Sequence, residues 1–175
     1  MQTKSKANIE LAAQVVIAIA VVVAAGALVK RTFSPAYAPA AGPRITAGEH
    51  LDIANVNWAQ NEKSLVFFLK KDCQYCTLSA PFYRQLIEEA TKRNVKCIAV
   101  FPNTLGEARK YLQYLDLPIE NVQTASLAAY KITGTPTVLF VDNQGTVRST
   151  WFGAAVDREA EMRSKLIELF EAKID

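Results

Sequence analysis

Residues 64–76 read SLVFFLKKDCQYC. Ser64–Leu69 is a short, wholly apolar run rich in aromatic and β-branched side chains, the pattern of a central strand covered on both faces. A charged stretch follows, then Cys73-Gln74-Tyr75-Cys76. From Thr77 to Arg93 apolar residues recur at Leu78, Phe82, Leu86, Ile87 and Ala90, a helical stripe with Pro81 expected to kink it. The two cysteines therefore stand where a strand hands over to a helix. At a helix N-terminus, unpaired N–H groups and the positive end of the dipole favour an anion. A thiolate is such an anion, and the thiolate is the species that attacks disulfides. The two-residue spacing puts Cys76 one turn in, within bonding reach of Cys73. Cys73 is the expected exposed nucleophile and Cys76 the resolving partner beneath it.

A zinc half-site is the competing reading of such a pair, and it needs two further ligands. Cys97, inside a predicted buried strand, and His50, the only histidine, are the remaining candidates. The strand–CxxC–helix context favours redox chemistry, with no metal and no cofactor.

Downstream, Val95–Phe101 (VKCIAVF) reads as a second central strand, with Cys97 as a core residue. Thr104-Leu105-Gly106-Glu107 is a capping box that opens a helix running to about Leu115. Asn121–Thr124 is a short strand and Ser126–Lys131 a short helix. Thr137–Val141 is a strong strand, and Asp142–Gly145 turns it into a hairpin partner, Thr146–Phe152. Asp157 reads as the N-cap of a final helix with Met162, Leu166, Ile167 and Phe170 on one face. A further short strand is expected around His50–Val56. Strands alternating with helices imply a parallel sheet, and the terminal hairpin adds antiparallel strands. The expected class is α/β, with a mixed central sheet flanked by helices.

Pro136 stands directly before the strand TVLFV. A proline cannot donate to a central ladder, so it opens the strand or occupies a special turn. It is the candidate for a cis peptide bond, with a trans proline at a strand start as the alternative. A cis bond would leave the backbone of Thr135 able to pair with an extended substrate beside Cys73. Tyr75, inside the motif, is a candidate for the substrate-facing rim. Tyr111, Leu112, Tyr114 and Leu115 read as packing, as do Trp58 and Trp151.

The N-terminal part has a different character. Leu11–Val29 is 19 residues without a charge, about 28 Å of helix and close to a hydrocarbon core. Its length favours an uncleaved anchor. A secretory signal is the alternative, although its apolar run is usually shorter and the cleavage-like Ala36-Tyr37-Ala38 is followed by Pro39. Lys4, Lys6, Lys30 and Arg31 against Glu10 carry the whole net charge of +3, leaving 16 basic and 16 acidic residues beyond residue 31. A neutral body without a basic stripe argues against a nucleic-acid partner. The charges on the two sides of the run nearly match, so they do not orient it. The expected organisation is a tail over 1–10, a transmembrane anchor over 11–31, a Pro/Ala-rich linker over 32–48 and a folded domain over 49–175.

FFLKKDCQYC, Pro81 and GTPTVLFVDNQGTV together resemble thioredoxin-fold proteins. Over about residues 45–175 the plan is similar to the membrane-anchored, extracytoplasmic TlpA/ResA-type thiol–disulfide oxidoreductases. The 60 positions from Cys76 to Pro136 fit the extra helix and short strand of that group. The resemblance implies a thioredoxin-like fold, a redox-active Cys73–Cys76 pair and a cis Pro136. It implies protein disulfide or dithiol substrates and a membrane electron-carrier protein. It places the domain in the periplasm or an equivalent space, anchored in the cytoplasmic membrane, and acting as a reductant rather than an oxidant. The chain departs from the pattern in three places. Asp72 stands where thioredoxins carry Trp, Phe67 aligns with their buried acid, and Ser79 aligns with the acid of some ResA-type proteins. A peroxiredoxin-like peroxidase expects Pro and Thr or Ser just before its cysteine, and Lys70-Lys71-Asp72 offers neither. A metal-binding chaperone using the same two cysteines would want a nearby His or Met.

Overall fold

The strand predicted from SLVFFL is the middle of a five-stranded mixed sheet. In the computed structural model, which describes residues 44–172 and, before them, Gln14 alone, β1 (Lys63–Phe68) pairs in parallel with β2 (Lys96–Phe101). On its other side it runs antiparallel to β4 (Thr137–Asp142). With β3 (Asn121–Thr124) and β5 (Val147–Phe152) the order is β3-β2-β1-β4-β5. The chain divides into two units, Met1–Tyr37 and Ala38–Asp175, and the whole sheet belongs to the second. The apolar run Leu11–Val29 expected to be an anchor lies, apart from Gln14, outside the described residues. Among the described residues no helix is long and apolar enough to cross a membrane.

Side chains alternate across a strand, so β1 feeds two cores. Leu65 and Phe67 join the cluster under α1 (Gln74–Lys92), α2 (Leu105–Tyr114) and α3 (Glu159–Glu171). Val66 and Phe68 join a second cluster on the opposite face. Among the described residues no helix of that length covers the second face. Ile45, Leu51, Ile53 and Trp58 cover it from the N-terminal side, with Ile132 and the 3₁₀ turn Leu127–Tyr130.

That cover corrects two expectations. Ile45, expected in the linker, is buried in the core. His50–Val56 is not a strand: His50 makes one isolated bridge to Thr146, and Leu51 and Ile53 turn inward. Apolar residues at i and i+2 mimic a strand, but here they lay an irregular segment across the sheet face. Its backbone anchors at the start of β5, where Gly48 N–H donates to Val147 O (2.8 Å) and Val147 N–H to Glu49 O (2.9 Å).

The β4–β5 turn is built on Asp142. Its buried carboxylate accepts from Gln144 N–H (2.9 Å), Thr146 N–H (2.8 Å) and Arg148 Nε (2.6 Å). Gly145 has φ +79°, and a Cβ there would lie 2.7 Å from Trp58 Cδ1. Both conformation and space therefore require glycine.

The helices follow their caps with one exception. The Thr104–Glu107 capping box is formed, and α2 starts at Leu105. α1 begins at Gln74 with Cys73 as its N-cap, as the motif's placement at a helix tip led one to expect, and it runs on through Pro81. Leu78, expected on its buried stripe, is exposed, and Cys76, Ala80 and Tyr83 pack inward with the rest of that stripe. Asp157 does not cap α3. The N-cap is Arg158 without a side-chain bond, and its guanidinium instead donates to Phe152 O (2.5 Å). Met162, Leu166 and Phe170 are buried, while Ile167 is half-buried.

Candidate active site

Sheet register brings the two motifs together. Phe68, the last residue of β1, pairs with Val100 on one side and Thr137 on the other. The chain therefore leaves β1 toward the cysteines at the same edge where Pro136 leads into β4. The Thr135–Pro136 peptide bond is cis.

Two residues shape the approach to Cys73. Lys71 N–H donates to Asn103 Oδ1 (3.0 Å), which ties the loop to the end of β2. Asp72 has φ +60°, a left-handed conformation that Asp tolerates better than most residues. Cys73 is then the N-cap of α1, and its Sγ accepts from Cys76 N–H (3.2 Å). Cys73 and Cys76 form a disulfide with Cα atoms 5.2 Å apart. Cys73 is half-buried and Cys76 fully buried, the asymmetry expected of nucleophile and resolving partner. Thr135 Oγ1 donates to Cys73 Sγ (3.3 Å), and Thr135 O lies 3.4 Å from the same sulfur. In the dithiol form that carbonyl is placed to accept the Cys73 S–H. Pro136 O accepts from Gly153 N–H (2.8 Å), which holds the prolyl loop against the end of β5. Tyr75 is half-buried in the first turn of α1, between the cysteines.

Sequence reasoning missed Tyr111, Thr77 and Asn103. Tyr111 Oη donates to Cys73 O (3.1 Å) and meets Thr77 Oγ1 at 3.2 Å. Its helical spacing marked it as packing, and it is buried. The overlooked signal is its hydroxyl, since a buried tyrosine usually finds a partner.

Charges of both signs, Lys70, Lys71 and Asp72, precede Cys73. Lys71 is paired with Glu107 (3.2 Å), and the Asp72 carboxylate is adjacent in sequence. Phe67 and Ser79 are both buried, and Ser79 Oγ accepts from Ala155 N–H (3.0 Å). Cys97, expected in the core, is only half-buried, although burial still pushes its thiol up to about 12. It pairs with Leu65 near the start of β1, at the sheet end remote from Cys73. His50 bridges to Thr146 at that same end. Among the described residues no group of three or more His, Cys, Asp and Glu side chains could hold a metal ion.

A five-stranded mixed sheet, a Cys-x-x-Cys pair at a helix N-terminus and a cis Thr135–Pro136 bond whose threonine meets the half-buried Cys73 sulfur define a thioredoxin-like domain of the thiol–disulfide oxidoreductase type. The chain belongs to the AhpC/TSA family, whose profile matches residues 42–150. Solved structures with the same fold include the thiol:disulfide interchange protein DsbE of Chlorobium tepidum. It is 18% identical with a TM-score of 0.60, over 73% of this chain and 99% of that one. The thioredoxin domain of a Bacteroides vulgatus thiol-disulfide oxidoreductase is 16% identical with a TM-score of 0.56, over 70% and 99%. Peroxidoxin BcpB of Mycobacterium tuberculosis is 11% identical with a TM-score of 0.57, over 74% and 100%. No curated protein sequence matches the chain.

Proposed function

We propose that the protein is a membrane-anchored, extracytoplasmic thiol–disulfide oxidoreductase that reduces disulfides in protein substrates. The observation that carries this reading is the half-exposed Cys73 sulfur, capping α1 beside the cis Thr135–Pro136 bond with Cys76 buried behind it. In the dithiol form the Cys73 thiolate attacks a substrate disulfide. A Cys73–substrate disulfide forms, and the other substrate sulfur leaves as a thiolate. Cys76 then gives up its proton and attacks Cys73 Sγ, which forms the Cys73–Cys76 disulfide and releases the second substrate thiolate. Two electrons pass to the substrate, and the two departing thiolates take up protons. A dithiol carrier protein in the membrane returns the pair to the reduced state.

The reducing direction rests on the resemblance to TlpA/ResA-type proteins. A pair becomes a strong oxidant when its reduced form is strongly stabilised. Here Cys76 N–H and Thr135 Oγ1 donate to the Cys73 sulfur and favour its thiolate, while Lys71 is engaged by Glu107 and the Asp72 carboxylate opposes it. Anchoring rests on the charge-free run Leu11–Val29, long enough to span a hydrocarbon core. The extracytoplasmic site and the carrier rest on the resemblance to TlpA/ResA-type proteins.

A Cys76→Ala variant is expected to accumulate substrates bound to Cys73, and a Cys73→Ala variant to accumulate none. Equal trapping by both would sink the assignment. A reduction potential near −270 mV fits a reductant, and one near −120 mV reverses the direction. Membership of AhpC/TSA favours a second reading, a peroxidase. In it the Cys73 thiolate attacks hydrogen peroxide, the O–O bond breaks with hydroxide leaving, and Cys76 condenses with the resulting sulfenic acid to form the Cys73–Cys76 disulfide and release water. Consumption of hydrogen peroxide at a rate exceeding protein-disulfide reduction selects that reading.

A further inference from the structure

A groove of about 520 Å³ runs from beside Cys73 along α2. Glu107, Lys110, Tyr111 and Tyr114 all line it, at i, i+3, i+4 and i+7 on one helical face. Tyr111 is buried, and its hydroxyl reaches Cys73 O. Tyr114 stacks on it, with ring centroids 6.1 Å apart and planes at 21°, yet is 72% exposed. A large aromatic side chain on solvent, one ring away from the residue that touches Cys73, presents an unfilled stacking surface. The charges along the groove are unequal in availability. Lys71 and Glu107 neutralise each other, whereas Lys110 has no ion-pair or hydrogen-bond partner among the described residues. Asp72 lies at the Cys73 end.

From this arrangement we propose that the groove reads the substrate polypeptide beside its reacting cysteine. It takes an aromatic side chain on Tyr114 and an acidic side chain on Lys110. The inference rests on the oxidoreductase reading and adds the recognition it needs. Tyr111 stands between the two, its hydroxyl 3.1 Å from Cys73 O and its ring centroid 6.1 Å from that of Tyr114, so an extended chain, at about 3.3 Å per residue, reaches Tyr114 a few residues from its cysteine. Asp72 repels an acidic residue directly next to that cysteine, while Lys110 attracts one farther out. Recognition thus depends on position as well as composition.

The test uses the intact reduced chain and two symmetric peptide disulfides. One peptide carries Asp and Phe two and three residues to either side of its Cys. The other carries Lys and Ala at those places. Each turnover consumes one Cys73–Cys76 dithiol and one peptide disulfide, and yields two peptide thiols. The Asp/Phe peptide is expected to react about tenfold faster, from one stacking contact and one exposed ion pair. Tyr114→Ala is expected to lower the ratio to about threefold, the share left to the Lys110 ion pair, and Lys110→Glu to shift preference toward the Lys peptide. Both positions are exposed, so the fold should survive. Equal rates for the two peptides, or an unchanged ratio in both variants, overturn the groove reading and leave the oxidoreductase reading standing. Failure of the reduced chain to cleave either peptide overturns both.

Discussion

The Tyr111 hydroxyl donates to the carbonyl oxygen of Cys73 across 3.1 Å, joining α2 to the N-terminal tip of α1. That carbonyl also accepts from Thr77 N–H at 3.1 Å and Thr77 Oγ1 at 3.3 Å. Three donors on the N-cap carbonyl hold the backbone that sets Cys73 Sγ over Cys76 N–H.

Tyr111→Phe removes one of these donors and keeps the ring. The stability cost should be about 0.5–1.5 kcal/mol, the usual range for one hydrogen bond. If the bond positions the sulfur, alkylation of Cys73 in the reduced protein at fixed pH also slows. A lower denaturation midpoint with an unchanged alkylation rate would assign Tyr111 to packing alone.

Asp72→Asn removes a negative charge next to Cys73 and retains a side chain suited to φ +60°. The thiolate gains, so Cys73 alkylation shifts to lower pH and the pair becomes more oxidising. For an exposed charge the expected change in potential is about 10–15 mV. A shift toward more negative potential in a glutathione titration would contradict this.

Ser79→Ala leaves the buried Ala155 N–H without its acceptor at 3.0 Å. Orphaning a buried donor costs about 1–3 kcal/mol, more than the loss of a surface contact. Urea denaturation should show it as a lower midpoint with an unchanged slope.

Alkaline pH should loosen the fold. Burial raises the Cys97 thiol from 9.0 to about 12, and burial also raises the Tyr83 phenol above its ordinary 10.0. Both are acids that the folded state keeps protonated. An unfolded chain sheds the Cys97 proton near pH 9, so stability is fully present below that and falls as pH rises toward 12. Cys97→Ala should flatten this part of the profile. At pH 8 Cys97 should resist iodoacetamide while reduced Cys73 reacts. Labelling of Cys97 as fast as Cys73 in the native protein would refute its burial.

What could be read from the chain was short-range. SLVFFL declared a strand covered on both faces, because no charged side chain breaks it. The position of Cys73 before a helix, the Thr104–Glu107 capping box and the Asp142–Gly145 turn follow from chemistry that acts over four residues. Pro136 stood out because a proline cannot donate to the ladder it introduces. Where an element depended on distant partners, the local pattern misled. Leu51 and Ile53 alternate like a strand because they cover a sheet face. Leu78 matches a buried stripe yet faces solvent, and Asp157 looks like a cap that the chain does not use.

Tertiary structure alone decided the composition of the site. Cys73 and Thr135 are 62 residues apart and Cys73 and Tyr111 are 38 apart, too far for any periodicity to relate them. They meet because β1 pairs with both β2 and β4, and that register places the ends of three segments at one edge of the sheet. Local sequence chooses which residues can carry the chemistry. The hydrogen-bond register of the sheet, set by burying apolar side chains on both of its faces, chooses which of them touch.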